Sequence, residues 1–307
     1  MIVRSVAPTR ISLFGGGTDL DIYSKQYGGL VISMAIDIYQ HTTLYTEHDI
    51  FSLSTNVFPA EADDVFYYHL LDHFKLNGMH HSKHINKFDG LIQGGLGSSG
   101  AAAVAFLGAI KRSFNKEFDI PEMAYKLELQ HNFTGRQDHY ASYYGGVNCI
   151  EFKDKVNVTP LARGFIEPLL PHIVLFHTNI KRKKNPQEQM KKLTPEKKQS
   201  LDEIKELCVA SIDHIAKGDP TMVGELLNIG WELKKKSNAV SSPEIDGIYN
   251  YALNNGAIGG KLLGSGGGGY MVFIAEDPKF LIKAMKEKNM ENWEFNVDWN
   301  GLMVKEL

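Results

Sequence analysis

The chain has 307 residues, 43% of them hydrophobic and 22% charged, which is ordinary usage for a folded protein and far from the composition of disorder. Its 33 Lys and Arg against 36 Asp and Glu leave a net charge of −3, which argues against a protein built to neutralise a nucleic-acid backbone. No run approaches the length of an apolar membrane span, the N-terminus reads like a strand rather than a signal peptide, and Cys149 and Cys208 stand in unrelated segments as small hydrophobes. The expectation is a cytoplasmic protein with small-molecule partners, no membrane or nucleic-acid partner, and a monomeric or homodimeric state.

In chain order, Ile2 to Leu13 and Leu30 to Tyr45 carry apolar patterns rich in Val, Ile, Thr and Tyr and read as strands. His80, His81 and His84 resemble a metal cluster only superficially, because no acidic or cysteine partner surrounds them. A buried helix runs from Ala101 toward Ile110 straight out of a glycine loop, and a second covers about Pro121 to His131. Strand pattern returns from Gly145 through Val147, Cys149 and Ile150, and again near Val156. Periodicity then lapses between Arg163 and Pro171. The length exceeds the usual single core, so a domain boundary is expected there, giving units 1–165 and 166–307.

The second unit opens with a strand over Ile173–Phe176. An amphipathic helix follows through Leu201, Ile204, Leu207, Cys208, Ile212 and Ile215 to Gly218. Two more helices are expected, from Thr221 to about Lys236 and from Pro243 to Gly256, then a strand over Tyr270–Ala275 and one or two more within Phe295–Val304. The expected class is α+β, two layers in each unit.

The 29 glycines are clustered at Gly15–Gly17, Gly94–Gly100, Gly145–Gly146, Gly259–Gly260 and Gly264–Gly269. Glycine weakens helices and strands, so each cluster marks a sharp turn or a close backbone approach. The loop Gly94, Gly95, Leu96, Gly97, Ser98, Ser99, Gly100 runs directly into a helix, whose exposed N–H groups and dipole suit an anion. It is either a phosphate cradle or a tight turn that merely permits helix packing. It is not a Walker A loop, since no Gly-Lys-[Ser/Thr] occurs.

Gly95-Leu96-Gly97-Ser98-Ser99 resembles the second motif of the galactokinase, homoserine, mevalonate and phosphomevalonate (GHMP) kinases. Ala7–Asp19 resembles their first motif and Lys261–Tyr270 their third, in the right order. Within the superfamily the likeness is to the D-glycero-D-manno-heptose phosphate kinases. It rests on Phe14–Asp19, Gly135–Tyr140 with Tyr144–Asn148, Gly224–Leu227 with Trp231–Lys234, and Gly256–Lys261. Leu91-Ile92-Gln93-Gly94-Gly95 departs from that family's Pro-x-Gly-Ser-Gly lead. The resemblance implies a ribosomal protein S5 domain 2-like N-terminal domain that binds ATP and a ferredoxin-like C-terminal domain. It also implies ATP with Mg2+ as cofactor and a sugar phosphate as substrate. The activity implied is phosphorylation of the anomeric hydroxyl of a heptose 7-phosphate, in synthesis of nucleotide-heptose for surface polysaccharide. Alternatives are a kinase for another sugar, such as fucose, and a member that only binds a ligand.

The same resemblance assigns roles, each beside a blander one. Asp138 matches the catalytic aspartate, or is a loop residue in an Asx-turn. Arg10 matches a cation near acceptor and base, or is a strand-edge arginine. Glu128 and Ser99 match the metal carboxylate and its hydroxyl partner, or a solvated helix residue and a helix cap. Thr18 and Asp19 are expected to meet the sugar, and Gly266 and Gly267 to close the site from the C-terminal side. Galactokinases typically carry Glu-His just before Thr-Asp; Gly16 and Gly17 stand there instead, which argues against galactose. Arg182, within the run Lys181–Lys184, matches an arginine for a distal phosphate, though such a run is as often a solvated face.

Overall fold

The computed structural model describes residues 1–47, 50–55, 73–74, 79–80, 94–130, 133–180, 192–237 and 240–307. Two long strands organise the first sheet. β1 (Ile2–Phe14) and β2 (Gly29–Glu47) pair antiparallel along almost their whole length, from Ile2 opposite Tyr45 to Phe14 opposite Ile32. The register shifts after Pro8, which brings no N–H to the ladder. β2 is long enough to take two neighbours on its other edge. β3 (Ile50–Thr55) pairs its C-terminal half and β5 (Val147–Phe152) its N-terminal half. β6 (Val156–Pro160) adds to β5, and β4 (Met79–His80) lies parallel to β3.

The seventh strand comes from far along the chain. β10 (Met303–Glu306), placed by the sequence reading in unit 166–307, pairs with β1 in the first sheet. The tail leading to it is tied to the first unit as well: Asp37 N–H bonds Asn296 O at 3.0 Å, and Leu302 N–H bonds Tyr143 O at 3.1 Å.

Four helices cover the first unit: α1 (Asp21–Tyr27), α2 (Ser98–Ser113), α3 (Ile120–Leu129) and α4 (Gln137–Tyr144). α2 is buried from Gly100 through Ile110, between the first sheet and α3. Gly108 in its middle is required by closeness, because a Cβ there would stand 2.7 Å from Ser5 Oγ and 3.0 Å from Val304 Cγ2. Asp119 caps α3 by accepting from Glu122 N–H at 2.9 Å.

A four-residue turn of helix, α5 (Arg163–Ile166), leads to a second sheet of β7 (Ile173–His177), β9 (Tyr270–Ala275) and β8 (Ala257–Leu262), antiparallel in the order β7-β9-β8. The glycines of β8 obscured it in the sequence. They are needed because α7 (Pro220–Ser237) lies directly on the strand: a Cβ at Gly259 would stand 2.0 Å from Gly224 O. α6 (Pro195–Ala216) packs on α7 and reaches β1 and β2, while α8 (Pro243–Leu253) and α9 (Pro278–Glu287) complete the far side. Among the described residues no helix is long and apolar enough to cross a membrane.

The second sheet is buried on both faces, and its alternation divides the core. Leu175, Val272 and Ile274 join Ile11, Leu13, Ile32 and Met34 of the first sheet through Cys208 and Ile215 of α6. Phe176, Met271 and Phe273 pack the other way, on Trp231, Tyr249 and Leu281. One apolar core therefore runs between the two sheets. Truncating Leu175, fully buried in that core, to alanine should cost about 2–5 kcal/mol. In a denaturant titration the whole chain should still unfold in one transition; two separated transitions would show that the sheets do not share this core.

Candidate active site

The phosphate loop is shaped by glycine backbone. Gly94, Gly95 and Gly97 have φ of +139°, +105° and +73°, and Gly97 is the N-cap of α2 with no side-chain cap bond, so neither Ser98 nor Ser99 caps the helix. Gly100, the third residue of α2, comes next. Leu96 anchors the loop, its side chain fully buried in the core and its carbonyl accepting Arg10 N–H at 2.8 Å. The first-turn N–H groups of α2 have no intrahelical acceptor, which leaves them for an anion.

A Cβ on Gly97 would stand 3.1 Å from Asp138 Cγ and 3.2 Å from Arg10 Cζ, and one on Gly100 would stand 2.8 Å from Asp138 Cβ. These glycines bring the loop against an ion pair as well as toward a phosphate. Arg10, only 3% exposed, donates from Nε to Asp138 Oδ1 at 2.8 Å, with Nη2 at 2.6 Å from the same oxygen. Its Nη1 donates to Gly95 O. Both contacts to Asp138 fall on Oδ1, leaving Oδ2 for another donor. Arg10 is thus no strand-edge arginine, and Asp138 sits in the first turn of α4 rather than in a loop.

Glu128 is buried inside the protein, not solvated on α3. Its Oε2 lies 2.7 Å from Nε2 of the fully buried His139. Burial works to raise the carboxyl, but hydrogen bonding and charge from His139, with smaller help from the Ser99 hydroxyl and Arg10, hold it below the usual carboxylate range. Glu128 and Ser99, the expected metal pair, do meet. They form an ionised carboxylate beside a hydroxyl, a hard-oxygen set suited to Mg2+. Neither His139 nor Gln137 was singled out in the sequence. Recognising α4 would have supplied the signal, since it sets both beside Asp138.

Asp19 is buried and already engaged. Its Oδ1 accepts from Gly17 N–H at 3.0 Å and Gln137 Nε2 at 3.2 Å, and its Oδ2 from Gln137 N–H at 3.2 Å. Burial and the neighbouring Asp138 push its carboxyl up, against the pull of the backbone N–H groups. Gly135 is obligatory here, because a Cβ would fall 1.9 Å from Asp19 Oδ2. The Thr18 hydroxyl is engaged within the protein. It donates toward Gly15 O and Leu30 O at 2.8 and 2.9 Å and accepts Leu30 N–H at 3.0 Å, so it shapes the loop.

The third glycine motif lies against the second. Tyr270 N–H bonds Gly94 O at 3.0 Å, and a Cβ on Gly94 would stand 2.4 Å from Gly269 Cα. Gly266 and Gly267, at φ of +102° and +79°, press on Val240. Thr178 braces the motif through Gly269, donating N–H to its carbonyl at 2.8 Å and accepting its N–H at Oγ1 at 3.1 Å. Arg182, the run Lys181–Lys184, His81, His84 and Leu91–Gln93 lie outside the described residues.

A helix start suited to an anion, a carboxylate–guanidinium pair against it and a buried ionised carboxylate are groups that phosphoryl transfer can use. Residues 65–146 match the GHMP kinases N terminal domain and residues 204–292 the GHMP kinases C terminal domain. The chain belongs to the GHMP kinases and is an ATP-dependent phosphotransferase with an alcohol acceptor. It is 31% identical to the D-glycero-alpha-D-manno-heptose 7-phosphate kinase of Campylobacter jejuni, over 98% of each chain, and 28% identical to the homoserine kinase of Pyrococcus abyssi, over 93% and 92%. The D-glycero-D-manno-heptose 1-phosphate kinase of Bacteroides thetaiotaomicron superposes with a TM-score of 0.74 at 24% identity, over 99% of both chains, and shares the fold. Lactococcus lactis galactokinase does so with a TM-score of 0.72 at 16%, over 100% and 95%.

The Glu128 environment sets a pH signature. A carboxyl held low in the folded state contributes stability that is present above its unfolded value and lost as pH falls through the folded one. Glu128→Gln should cost about 1–3 kcal/mol near neutral pH. Denaturant titrations should show that gap closing as pH drops below the ordinary carboxylate range, and a gap constant with pH would count against an ionised Glu128.

Proposed function

We propose that this kinase phosphorylates the anomeric hydroxyl of D-glycero-D-manno-heptose 7-phosphate, giving the 1,7-bisphosphate. The observation that carries the reading is Asp138, held by Arg10 against the loop Gly94–Gly100 with one carboxylate oxygen committed and one left over. The sugar follows from the likeness to the heptose 7-phosphate kinase across both chains and from Gly16 and Gly17, which stand where galactokinases carry Glu-His and so argue against galactose.

In the reaction the sugar hydroxyl lies against Asp138, which accepts its proton as the oxygen attacks the γ-phosphorus. The bond to the β–γ bridging oxygen breaks and ADP leaves. Arg10 keeps Asp138 oriented and offsets the charge that gathers near the loop, whose N–H groups hold the nucleotide phosphates. Asp19 acts through Gln137, fixing the first turn of α4 on which Asp138 stands. Glu128 and Ser99 are the residues that would hold Mg2+, which when bound would supply positive charge against the nucleotide phosphates. The distal phosphate of the acceptor calls for cations, and Arg182, within the run Lys181–Lys184, is the residue the resemblance offers for it.

Two measurements test this. Asp138→Asn preserves size and removes the proton acceptor, so kcat should fall by roughly 10²–10⁴ while nucleotide affinity changes little. Turnover like the wild type would take Asp138 out of the mechanism. A coupled ADP-release screen over heptose 7-phosphate, heptose, fucose, galactose, mannose and mevalonate should give its highest kcat/KM on heptose 7-phosphate; a higher value on any other acceptor replaces the sugar assignment.

A further inference from the structure

His139 follows the base Asp138 in the first turn of α4, but its ring goes to Glu128 near the end of α3, with Nε2 2.7 Å from Oε2. Glu128 is a carboxylate in an unfavourable place. It lies in the last turn of α3, where unpaired carbonyls give the helix end partial negative charge, and it is only 3% exposed. A buried carboxylate there is costly unless donors answer it. Burial pushes its carboxyl up, and the His139 hydrogen bond is the largest of the influences opposing that, ahead of the Ser99 hydroxyl.

An ionised carboxylate oxygen only accepts, so Nε2 carries the hydrogen. The ring's other nitrogen, Nδ1, is buried and meets no partner among the described residues. The one side-chain hydrogen bond that His139 makes there is therefore given to Glu128. The ring is braced for it: Tyr125 meets it edge-on with centroids 5.9 Å apart, and the Arg136 guanidinium lies 4.9 Å over the Tyr125 ring. Packing does not call for this arrangement. An apolar ring would fill the same place without an unanswered nitrogen, and a buried polar pair can commonly be exchanged for apolar groups at little cost to a fold. What the pair supplies is a carboxylate held in one orientation beside a hydroxyl.

We propose that His139 is a positioning residue of the metal site: by holding Oε2 of Glu128 it fixes the carboxylate beside Ser99, leaves the other oxygen for Mg2+, and so sets the affinity for the metal. This rests on the reading of Glu128 and Ser99 as the metal pair. Because His139 and Asp138 are adjacent in one helical turn, the metal carboxylate and the base are set by the same piece of backbone, whose start is tied to Asp19 through Gln137 N–H. Hydrogen-bonded partners of metal ligands typically contribute about 10–100-fold in metal affinity.

The test reads binding rather than turnover. The affinity for a non-hydrolysable ATP analogue is measured calorimetrically at saturating Mg2+ and again in a chelator, and the ratio of the two gives the metal's contribution. His139→Phe keeps a ring and removes the donor, so the ratio should fall about tenfold or more while the affinity in chelator stays at the wild-type value. His139→Gln, whose amide nitrogen reaches about as far as Nε2, should restore most of it. Glu128→Gln should lose as much as His139→Phe, and the double variant no more than either, because both act through one carboxylate. An unchanged ratio in His139→Phe beside a lowered one in Glu128→Gln overturns the inference and keeps the metal pair. A wild-type ratio near one, or an unchanged ratio in Glu128→Gln, overturns the metal pair and the inference with it. Equal losses with and without metal, or no recovery in His139→Gln, would make His139 a support of the fold and nothing more. Thermal melts check each variant; if His139→Phe does not fold, His139→Asn, whose amide stops short of Glu128, decides by the same criterion.

Discussion

The buried contact between Arg10 and Asp138 is the constraint from which the rest of this molecule follows. A guanidinium and a carboxylate can be taken out of water only if they are paired and their remaining hydrogen-bonding capacity is met. Arg10 gives one further side-chain N–H to Gly95 O, and its own backbone N–H goes to Leu96 O. The pair therefore fixes the distance between β1, α4 and the loop that starts α2. Any side chain at Gly97 or Gly100 would intrude on it, so the glycine spacing answers to the ion pair as much as to a nucleotide.

The two halves of the chain meet at this centre through backbone. Gly94 and Gly269 lie so close that neither tolerates a Cβ, and a Cβ on Gly95 would stand 2.4 Å from Leu263 O. Side chains can adjust their rotamers to a shift between two layers, whereas two main chains in contact cannot. The continuous core behind them, from Ile11 and Leu13 through Cys208 to Leu175 and Val272, gives the same rigidity a hydrophobic origin. Placing the third motif is then a matter of local braces, with Thr178, Lys234 and Val240 each tied to it by one or two bonds.

Much of the fold was legible because long periodic segments announce themselves. β1, β2, β9 and helices α2, α3, α7 and α8 were read near their observed limits, and α6 at its C-terminal end, its start at Pro195 lying ahead of the reading at Leu201. What escaped was short or carried a conflicting local signal. α4 has the sequence Gln137-Asp138-His139-Tyr140-Ala141-Ser142-Tyr143-Tyr144, without an apolar stripe, and is held by its bonds to Asp19 and Glu128 rather than by propensity. β8 contains two glycines that a helix lying on it demands, and β10 finds its partner almost the whole chain away. In the site, the resemblance to the kinase motifs pointed to Asp138, Arg10, Glu128 and Ser99. The commitments of Thr18, and the pairing of His139 with Glu128, depend on three-dimensional neighbours that no spacing along the chain encodes.

The edge strand β10 also bears on how the protein is made. Leu307 N–H bonds Ile2 O at 2.9 Å, and β10 lines up with Val3 to Val6 of β1. On the ribosome, β1 emerges long before the segment that covers its outer edge. Until then that edge presents unpaired N–H and C=O groups, open to a strand from a neighbouring nascent chain. Val304 also packs at Gly108 of α2, so arrival of the final strand seals an edge of the first sheet and a gap over its central helix in one step. For this chain, loss of Met303–Glu306 would be a folding lesion at β1, far away along the sequence.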